Sequence, residues 1–224
     1  MYKYLLFDAD NTLLDFNTAE KQALKEALAE CPLQYSEEVR CRYHAINDNE
    51  WKRLERGETT REILKYERFE KLYDEFGING KEFGRYTADI YFEKLCLQGQ
   101  MIDCAEEILK DLSEKYDCYI ITNGTCAIQT ERFARTPISK YVKHIFISEQ
   151  IGYSKPSLRF FEKVFEFIGD SDKSKYLVIG DSLTSDITGA VNSGVDSVWI
   201  SEKQTHDLPT YCIKNLSELR SILN

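Results

Sequence analysis

Two aspartates, Asp8 and Asp10, follow directly after an apolar run near the beginning of the chain, in the stretch YLLFDADNTLLDF (4–16). Apolar runs of this length are typical of buried strands, and such strands seldom lead into paired acids. Two neighbouring carboxylates cannot both remain ionised unless a positive charge compensates them. The pair therefore indicates a site where acids do chemistry beside a cation.

Polar residues of matching kinds follow three later apolar runs. They are Thr122, Asn123 and Gly124 after the second run, Lys155 and Pro156 after the third, and Asp181 and Asp186 after the fourth. Because ligands of a parallel sheet bind beyond the carboxyl ends of its strands, we expect these side chains to gather along one edge.

Four carboxylates, those of Asp8, Asp10, Asp181 and Asp186, would then share one small cleft. Like charges so close together need a compensating cation. Oxygen ligands without histidine or cysteine favour a hard divalent ion, and Mg²⁺ above all. The sequence therefore predicts that these four residues form a magnesium site.

The remaining residues of the set suit a phosphoryl group. Lys155 brings a positive charge, Thr122 brings a hydroxyl, and the turn at Asn123 and Gly124 offers backbone N–H groups at the start of a helix. Carboxylates surrounded by a metal, a lysine and such donors favour phosphoryl transfer, with one acid as nucleophile and another as general acid/base. Taken singly, Asp186 could equally be an N-cap, Lys155 a solvated loop residue and 122–124 a plain turn. Their order, each at a strand end, favours one common site.

The elements that must position these residues alternate between strands and helices. Predicted strands cover residues 3–7, 118–122, 144–148, 176–180, 197–201 and, more weakly, 211–214. Most are continuously apolar, as in strands covered on both faces. Helix-like stretches at 104–116, 157–168 and 185–193 lie between them. This alternation predicts an α/β fold with a doubly wound parallel sheet.

Residues 17–98 break the alternation, because they contain no strand candidate and instead show amphipathic helices at about 18–31, 37–58, 59–77 and 81–97. Thr18 is the expected N-cap of the first helix, and Gly77 the expected stop of the third. The sequence thus predicts a core domain of residues 1–16 and 99–224, interrupted after its first strand by a helical-bundle domain of residues 17–98.

Composition limits the classes of partner. The formal net charge is −9 and the pI is near 5.0, which argues against a nucleic-acid polymer or an anionic membrane, since both need a basic face. The seven cysteines are scattered, and the N-terminal sequence lacks a signal-peptide pattern. Both observations favour a cytoplasmic protein with reduced thiols. The apolar runs are shorter than the ~18 residues of a membrane span. The expected partner is a small phosphorylated metabolite, and the oligomeric state is not determined by the sequence.

The four motifs together resemble the signature of the haloacid dehalogenase (HAD) superfamily. They are DxDxT at 8–12, Thr-Asn at 122–123, Lys-Pro at 155–156 and GDxxxxD at 180–186. The resemblance covers the whole core, and the helical insert lies where subfamily I members carry a cap. It implies a Rossmann-like core, a Mg²⁺-dependent phosphatase, and a cap that closes over the leaving group and excludes bulk water.

The resemblance also implies a role for each motif residue. Asp8 would attack phosphorus and become an aspartyl phosphate. Asp10 would protonate the leaving alcohol and then activate the hydrolytic water, its backbone carbonyl also binding Mg²⁺. Thr122 and the Asn123 amide would hold the phosphoryl group, with Lys155 neutralising the charge of the nucleophile and the intermediate.

In the metal site, the resemblance implies that Asp181 binds Mg²⁺ directly and that Asp186 supports the metal's water shell.

The sequence departs from the commonest family pattern at Ala9, where many phosphatases carry a larger apolar or aromatic residue. We expect this change to affect only the space around the leaving group. All four motifs are complete, so the resemblance implies an active enzyme.

Within the superfamily, the chain is most similar to the branch of 5'-nucleotidases that act on pyrimidine and other small nucleoside monophosphates. The similarity rests on FDADNTL (7–13), TNGTCAIQTERF (122–133) with Gln129 and Arg132, ISEQIGYSKPSLRFFE (147–162) and WKRLERGETTREILKYERF (51–69). A base could stack on aromatic residues of the insert, with core packing as the alternative. These residues are Tyr43, Trp51, Tyr66, Phe69, Tyr73, Tyr86, Tyr91 and Phe92. The charged residues Lys52, Arg61 and Arg68 could contact the substrate or be solvated surface charges.

Other functions share parts of this pattern. A two-component receiver, a signalling module, also pairs acids with a lysine, but its phosphoacceptor would lie on a later strand. Rapid turnover of a generic phosphomonoester would separate the two. A true dehalogenase needs no Mg²⁺ and should lack Asp10, and a phosphosugar mutase must return the phosphoryl group. A phosphatase of phosphoglycolate or sugar phosphates remains the alternative to a nucleotidase.

Overall fold

The computed structural model describes residues 1–202 and 207–223. The chain forms two compact units. Met1–Phe16 with Gly99–Asn224 is one, which we call the core unit, and Asn17–Gln98 is the other, the insert unit. Among the described residues, no helix is long and apolar enough to cross a membrane.

The described part of the core unit contains one six-stranded sheet. Its strands are β1 (Tyr4–Phe7), β2 (Asp117–Thr122), β3 (His144–Ile147), β4 (Tyr176–Gly180), β5 (Asp196–Ile200) and β6 (Tyr211–Ile213). All pair in parallel, in the order β3-β2-β1-β4-β5-β6. The predicted parallel sheet is confirmed, and every strand end lies within one residue of its predicted position.

The α-helices follow in chain order from the end of the first strand. They are α1 (Phe16–Leu28), α2 (Glu37–Glu55), α3 (Arg61–Glu75), α4 (Gly80–Cys96), α5 (Ala105–Ser113), α6 (Cys126–Ala134), α7 (Ser148–Ile151), α8 (Leu158–Ile168), α9 (Thr188–Ser193) and α10 (Leu219–Leu223). The predicted helix at 185–193 is split, because a π-helical turn at Leu183–Ile187 precedes α9.

Side chains of the sheet alternate between two faces, and each face has its own apolar core. Leu5 and Phe7 lie on the face covered by α5 and α10, whereas Tyr4 and Leu6 lie on the face covered by α8 and α9. Both central strands, β1 and β4, are buried along their whole length. Burial on both faces explains why these strands are continuously apolar. The doubly wound arrangement is therefore confirmed.

The insert unit is helical, as predicted, and consists of α1 to α4. The Thr60 side chain caps α3 by accepting from the Ile63 N–H. Gly77 follows the end of α3 with a φ of +71°, a left-handed conformation that glycine adopts without strain, so the predicted stop is confirmed.

The predicted N-cap of α1 is wrong. Thr18 lies inside the first turn, because the helix begins two residues earlier, at Phe16. The N–H of Phe16 donates to the Leu14 carbonyl at 2.9 Å, so the chain turns directly into the helix there.

Four of the aromatic residues named above form the core of the insert unit: Tyr43, Phe69, Tyr73 and Tyr91. The ring centroids of Tyr43, Phe69 and Tyr91 lie 4.9 to 5.5 Å apart. These four residues are therefore packing residues, as the alternative predicted. Some exposed surface remains on the other four, which are Trp51, Tyr66, Tyr86 and Phe92.

Arg68 is not a solvated surface charge, because its side chain is buried. Its guanidinium donates to Asn47 Oδ1 at 2.6 Å, and Asn47 Nδ2 donates to the buried Glu20 carboxylate at 2.8 Å. A buried charge is tolerated only where polar partners satisfy it, and Asn47 supplies one to each of these opposite charges. Lys52, by contrast, is exposed, as the surface interpretation predicted.

Candidate active site

The loop after β1 carries Asp8 and Asp10 at the carboxyl edge of the sheet. The N–H groups of Leu13 and Leu14 both donate to the Ala9 carbonyl, at 2.9 and 2.8 Å, so the chain turns sharply there. Asn11 adopts a φ of +60°, a left-handed conformation in which asparagine is enriched. Ala9 is fully buried in the apolar core with Leu5 and Phe7. A larger residue at this position would therefore have to be accommodated by that core, and the effect of Ala9 on the space around the leaving group stays a prediction.

Lys155 joins the carboxylates of two strand ends. Its Nζ donates to Asp8 Oδ1 and Asp186 Oδ1, each at 2.6 Å, and to the Ile121 carbonyl at 2.9 Å. These three bonds use all three ammonium hydrogens of a side chain that is 1% exposed. Burial lowers the pKa of Lys155, but the charges of Asp186 and Asp8 outweigh burial and raise the pKa above its usual value. Lys155 is therefore a fixed positive charge between two acids.

Asp181 and Asp186 follow β4. Asp186 lies in the π-helical turn, a distortion frequent at functional sites. Its Oδ2 accepts from the Ser182 N–H at 3.1 Å, so both of its oxygens are bonded within the protein. The Asp181 carbonyl accepts from the Trp199 indole N–H at 2.8 Å, which fixes the backbone at this strand end.

Three of the four predicted metal ligands lie together. Carboxylate oxygens of Asp8, Asp181 and Asp186 are within 4.8 Å of one another. Burial raises the pKa of Asp8 well above its usual range, against the opposing charge of Lys155. Burial and the charge of Asp186 raise the pKa of Asp181 to about 7. Lys155 alone thus leaves the cluster short of positive charge, and the donor set, which consists only of oxygens, fits Mg²⁺.

The predicted phosphate-binding residues lie at the end of β2, beside Lys155. The Asn123 side chain exchanges two hydrogen bonds with the Lys155 backbone, both of 2.9 Å, and so joins the loops that follow β2 and β3. Thr122 Oγ1 accepts from the Gly124 N–H at 3.1 Å. The Gly124 N–H is therefore already occupied, whereas the sequence indicated it as a donor to the ligand.

Asp10 is held by two residues of α6 whose contacts with it were not predicted. Gln129 Nε2 donates to Asp10 Oδ2 at 2.8 Å, and Arg132 Nη1 donates to Asp10 Oδ1. The Asp10 carboxylate thus faces these two side chains instead of joining the acidic cluster. In the sequence, Gln129 and Arg132 only contribute to the resemblance of residues 122–133 to the 5'-nucleotidase branch. Their spacing of three residues, just after Thr122, was the signal that could have placed them on one helix face.

Gly180, the last residue of β4, makes room for Asp186. A Cβ at this position would lie 2.3 Å from Asp186 Oδ2 and 2.4 Å from its Cγ. We expect Gly180→Ala to displace the Asp186 carboxylate, with a loss of stability of about 1–3 kcal/mol from overpacking and a fall in activity of roughly 10²-fold or more from the misplaced group. Urea unfolding and steady-state kinetics measure the two effects.

The matched control is the same substitution in an Asp186→Ala background. Asp186→Ala removes the carboxylate but keeps the Asp186 Cβ, which the added methyl would meet at 2.7 Å, so only part of its stability cost should disappear there. In an Asp186→Gly background, which removes the Cβ as well, the cost should largely disappear. An equal stability cost in the wild-type, Asp186→Ala and Asp186→Gly backgrounds would show that the added Cβ disturbs the strand itself and that contact with Asp186 is not the cause.

The profile of the haloacid dehalogenase-like hydrolase family matches residues 5–200. The chain belongs to this family. The resemblance inferred from the four motifs is thereby confirmed, and the protein is a HAD-type enzyme with a helical insert after its first strand.

Three relatives of this HAD enzyme match along nearly the whole length of both chains. The pyrimidine 5'-nucleotidase PynA of Streptococcus pneumoniae is 39% identical over 228 residues, covering 100% of this chain and 95% of the relative. The pyrimidine 5'-nucleotidase YjjG of Escherichia coli is 27% identical, covering 99% and 98%. The crystal structure of the HAD-hydrolase YfnB of Bacillus subtilis, bound to magnesium, superposes with a TM-score of 0.92 at 35% identity, covering 100% and 99% of the two chains.

Proposed function

We propose that the protein is a Mg²⁺-dependent phosphomonoesterase that hydrolyses a nucleoside 5'-monophosphate through an aspartyl phosphate at Asp8. The observation that carries the proposal is Lys155 Nζ, 2.6 Å from both Asp8 and Asp186 at the edge that also holds Asp10 and Thr122. A buried acid paired with a fixed cation beside hydroxyl and amide donors is suited to phosphoryl transfer.

Asp8 supplies the nucleophile. Lys155 occupies Oδ1, and among the described residues no hydrogen bond reaches Oδ2. Oδ2 is therefore the oxygen that attacks phosphorus, forming an O–P bond as the bond to the leaving oxygen breaks. The N–H of Asn123 and the Thr122 hydroxyl hold the phosphoryl oxygens during the transfer.

Asp10 acts as the general acid and then as the general base. In the first step it gives a proton to the leaving oxygen, and in the second it takes one from the water that attacks the aspartyl phosphate. Inorganic phosphate and ionised Asp8 result. One strand end thus carries two acids with different tasks, separated by the buried Ala9.

The acidic cluster is the proposed magnesium site. The carboxylates of Asp8 and Asp181 and the backbone carbonyl of Asp10 would hold the ion directly. Asp186, which is bonded to Lys155 and to the Ser182 N–H, would orient the metal's water shell, as the resemblance implies. Bound Mg²⁺ would neutralise the cluster and polarise the phosphoryl group.

Magnesium removal tests the metal. We expect EDTA to abolish phosphate release, because Asp8 and Asp181 would then lack the cation that keeps them ionised, and added Mg²⁺ to restore it. Phosphate release, followed colorimetrically with and without EDTA, is the measurement. Undiminished activity in EDTA would contradict the metal assignment.

The substrate class is supported by PynA and YjjG, both pyrimidine 5'-nucleotidases that match almost the whole chain. Phosphoglycolate and sugar phosphates are the alternative substrates. A screen that includes dUMP, dTMP, UMP, phosphoglycolate and sugar phosphates decides between them. If nucleotides ranked below sugar phosphates, the nucleotidase proposal would be wrong, whereas the phosphatase proposal would stand.

A further inference from the structure

Two buried polar residues of α6 have no task in the chemistry described so far. Gln129 and Arg132 are each 1% exposed, although arginine is among the residues least often buried. Neither contacts the nucleophile Asp8. Instead they bond to each other, to Asp10 and to Thr122.

The chemistry of the partners fixes the orientation of the Gln129 amide. Its Nε2 lies 2.8 Å from Asp10 Oδ2 and 2.9 Å from Thr122 Oγ1, while its Oε1 lies 3.2 Å from Arg132 Nη1. A carboxylate only accepts and a guanidinium only donates. The amino group must therefore face Asp10 and the carbonyl oxygen must face Arg132. Both amide hydrogens are used, one on Asp10 and one on Thr122.

This arrangement also orients the Thr122 hydroxyl. Its oxygen accepts from Gln129 Nε2 and from the Gly124 N–H at 3.1 Å. A hydroxyl oxygen has two acceptor sites, and both are filled, so its hydrogen remains as a donor. The Thr122 O–H is thus prepared to donate to a phosphoryl oxygen. A Cβ at Gly124 would lie 2.7 Å from the Gln129 amide, so glycine at that position gives the amide its space.

Each oxygen of the Asp10 carboxylate is held by a different donor of the pair. Oδ1 accepts from Arg132 and Oδ2 accepts from Gln129, which leaves each oxygen one further acceptor site for a proton. The Arg132 guanidinium carbon lies 5.6 Å from the centre of the Phe16 ring, which confines it further.

We propose that Gln129 and Arg132 are positioning residues that hold the general acid/base Asp10 and, through Gln129, set the Thr122 hydroxyl as a phosphoryl donor. This inference rests on the proposed phosphatase function. It predicts that a single amide coordinates proton transfer to the leaving group with binding of the phosphoryl group.

The test compares two substrates that differ in their need for an acid. p-Nitrophenolate departs without a proton, whereas the alkoxide of dUMP needs one. The kinetic quantity is kcat/KM, which reports the steps up to departure of the leaving group. We expect Gln129→Glu and Arg132→Met to lower kcat/KM for dUMP roughly 10²-fold or more, the scale of general acid catalysis. The loss for p-nitrophenyl phosphate should be at least about tenfold smaller, because that reaction does not use the acid.

Inhibition by inorganic phosphate is a second measurement, and it distinguishes the role of Gln129 from that of Arg132. Gln129→Glu should also weaken inhibition by inorganic phosphate about tenfold or more, because the Thr122 hydroxyl loses its orientation. Arg132→Lys should keep most of the phosphate affinity and recover part of the dUMP activity, since it retains a donor for Asp10.

The matched control is Arg135→Met, three residues later in the chain, where the exposed side chain bonds to Glu131. It should leave both substrates unaffected. If Gln129→Glu does not fold, Gln129→Asn, which withdraws the same amide by one methylene, takes its place. Losses of equal size on both substrates would overturn the inference and leave a structural role. A wild-type enzyme inactive on every phosphomonoester would instead overturn the proposed function, and this inference with it.

Discussion

Asp8→Asn is expected to abolish phosphate release while leaving the fold intact. The amide cannot form an aspartyl phosphate, so the fall in kcat should be about 10⁴-fold or more, the scale of losing a covalent nucleophile. Lys155 keeps its bonds to Asp186 and to the Ile121 carbonyl, so the surrounding site should persist. Phosphate release over long incubations measures the residual rate, and circular dichroism checks the fold.

The direction in which Asp8→Asn changes the stability follows from the pKa of Asp8. Burial raises the pKa of Asp8 above its usual value of 3.8, so the folded protein binds that proton more tightly than the unfolded chain. In the metal-free protein, the contribution of Asp8 to stability therefore falls as the pH rises above 3.8 towards its raised pKa. Asp8→Asn should remove this loss. At neutral pH, in EDTA, the variant should be at least as stable as the wild type.

The matched control is Asp103→Asn, which makes the same chemical change at an exposed position. It should keep wild-type activity and stability. Appreciable turnover by Asp8→Asn, above any contaminating phosphatase measured with a mock preparation, would contradict the nucleophile assignment.

Lys155→Met is expected to cost both activity and stability. The substitution leaves the buried carboxylates of Asp8 and Asp186 without their shared cation. Removing one member of a buried ionic set typically costs about 3–5 kcal/mol, because the partner charges stay desolvated and unpaired. Urea unfolding at neutral pH in EDTA measures this free energy. Activity should fall by roughly 10²-fold or more, since a fixed charge at the reacting oxygen is lost.

An exposed lysine provides the control. Lys163 pairs with Glu166 at 2.7 Å on α8, where both side chains are more than half exposed. Lys163→Met should change the free energy of unfolding by less than about 1 kcal/mol, because surface ion pairs contribute little. Adding Asp186→Asn to Lys155→Met should return part of the lost stability, yet no activity. If Lys155→Met cost no more stability than Lys163→Met, the view of Lys155 as the central charge would be wrong.

Much of the fold was predictable because its elements have local signatures. Parallel strands buried on both faces, such as β1 and β4, appear as continuous apolar runs, whereas the edge strand β6, with two exposed residues, gave a weaker pattern. The stop at Gly77 was predictable for the same reason, because a left-handed residue favours glycine. Thr18 failed as an N-cap because the turn at Leu14, a contact between backbone groups, started the helix earlier.

The contacts between individual side chains were less predictable than the locations of the strands and helices. Arginine is usually a surface residue, yet Arg68 is buried and donates to Asn47, which lies on another helix. Asp10 was expected among the metal-binding carboxylates, but its side chain lies against Gln129 and Arg132, more than a hundred residues later in the chain. Sequence spacing does not encode which side chain meets which across such separations.

The sequence by itself determined that acids, a lysine and a Thr-Asn turn end neighbouring parallel strands, because residue type and apolar pattern are local properties. It thereby determined the family and the chemistry to be expected. Only the tertiary structure decided how the charges are shared. Lys155 lies between Asp8 and Asp186, and Asp10 is held by α6, because burial requires every charge to find a partner and the packing of the helices selects which one.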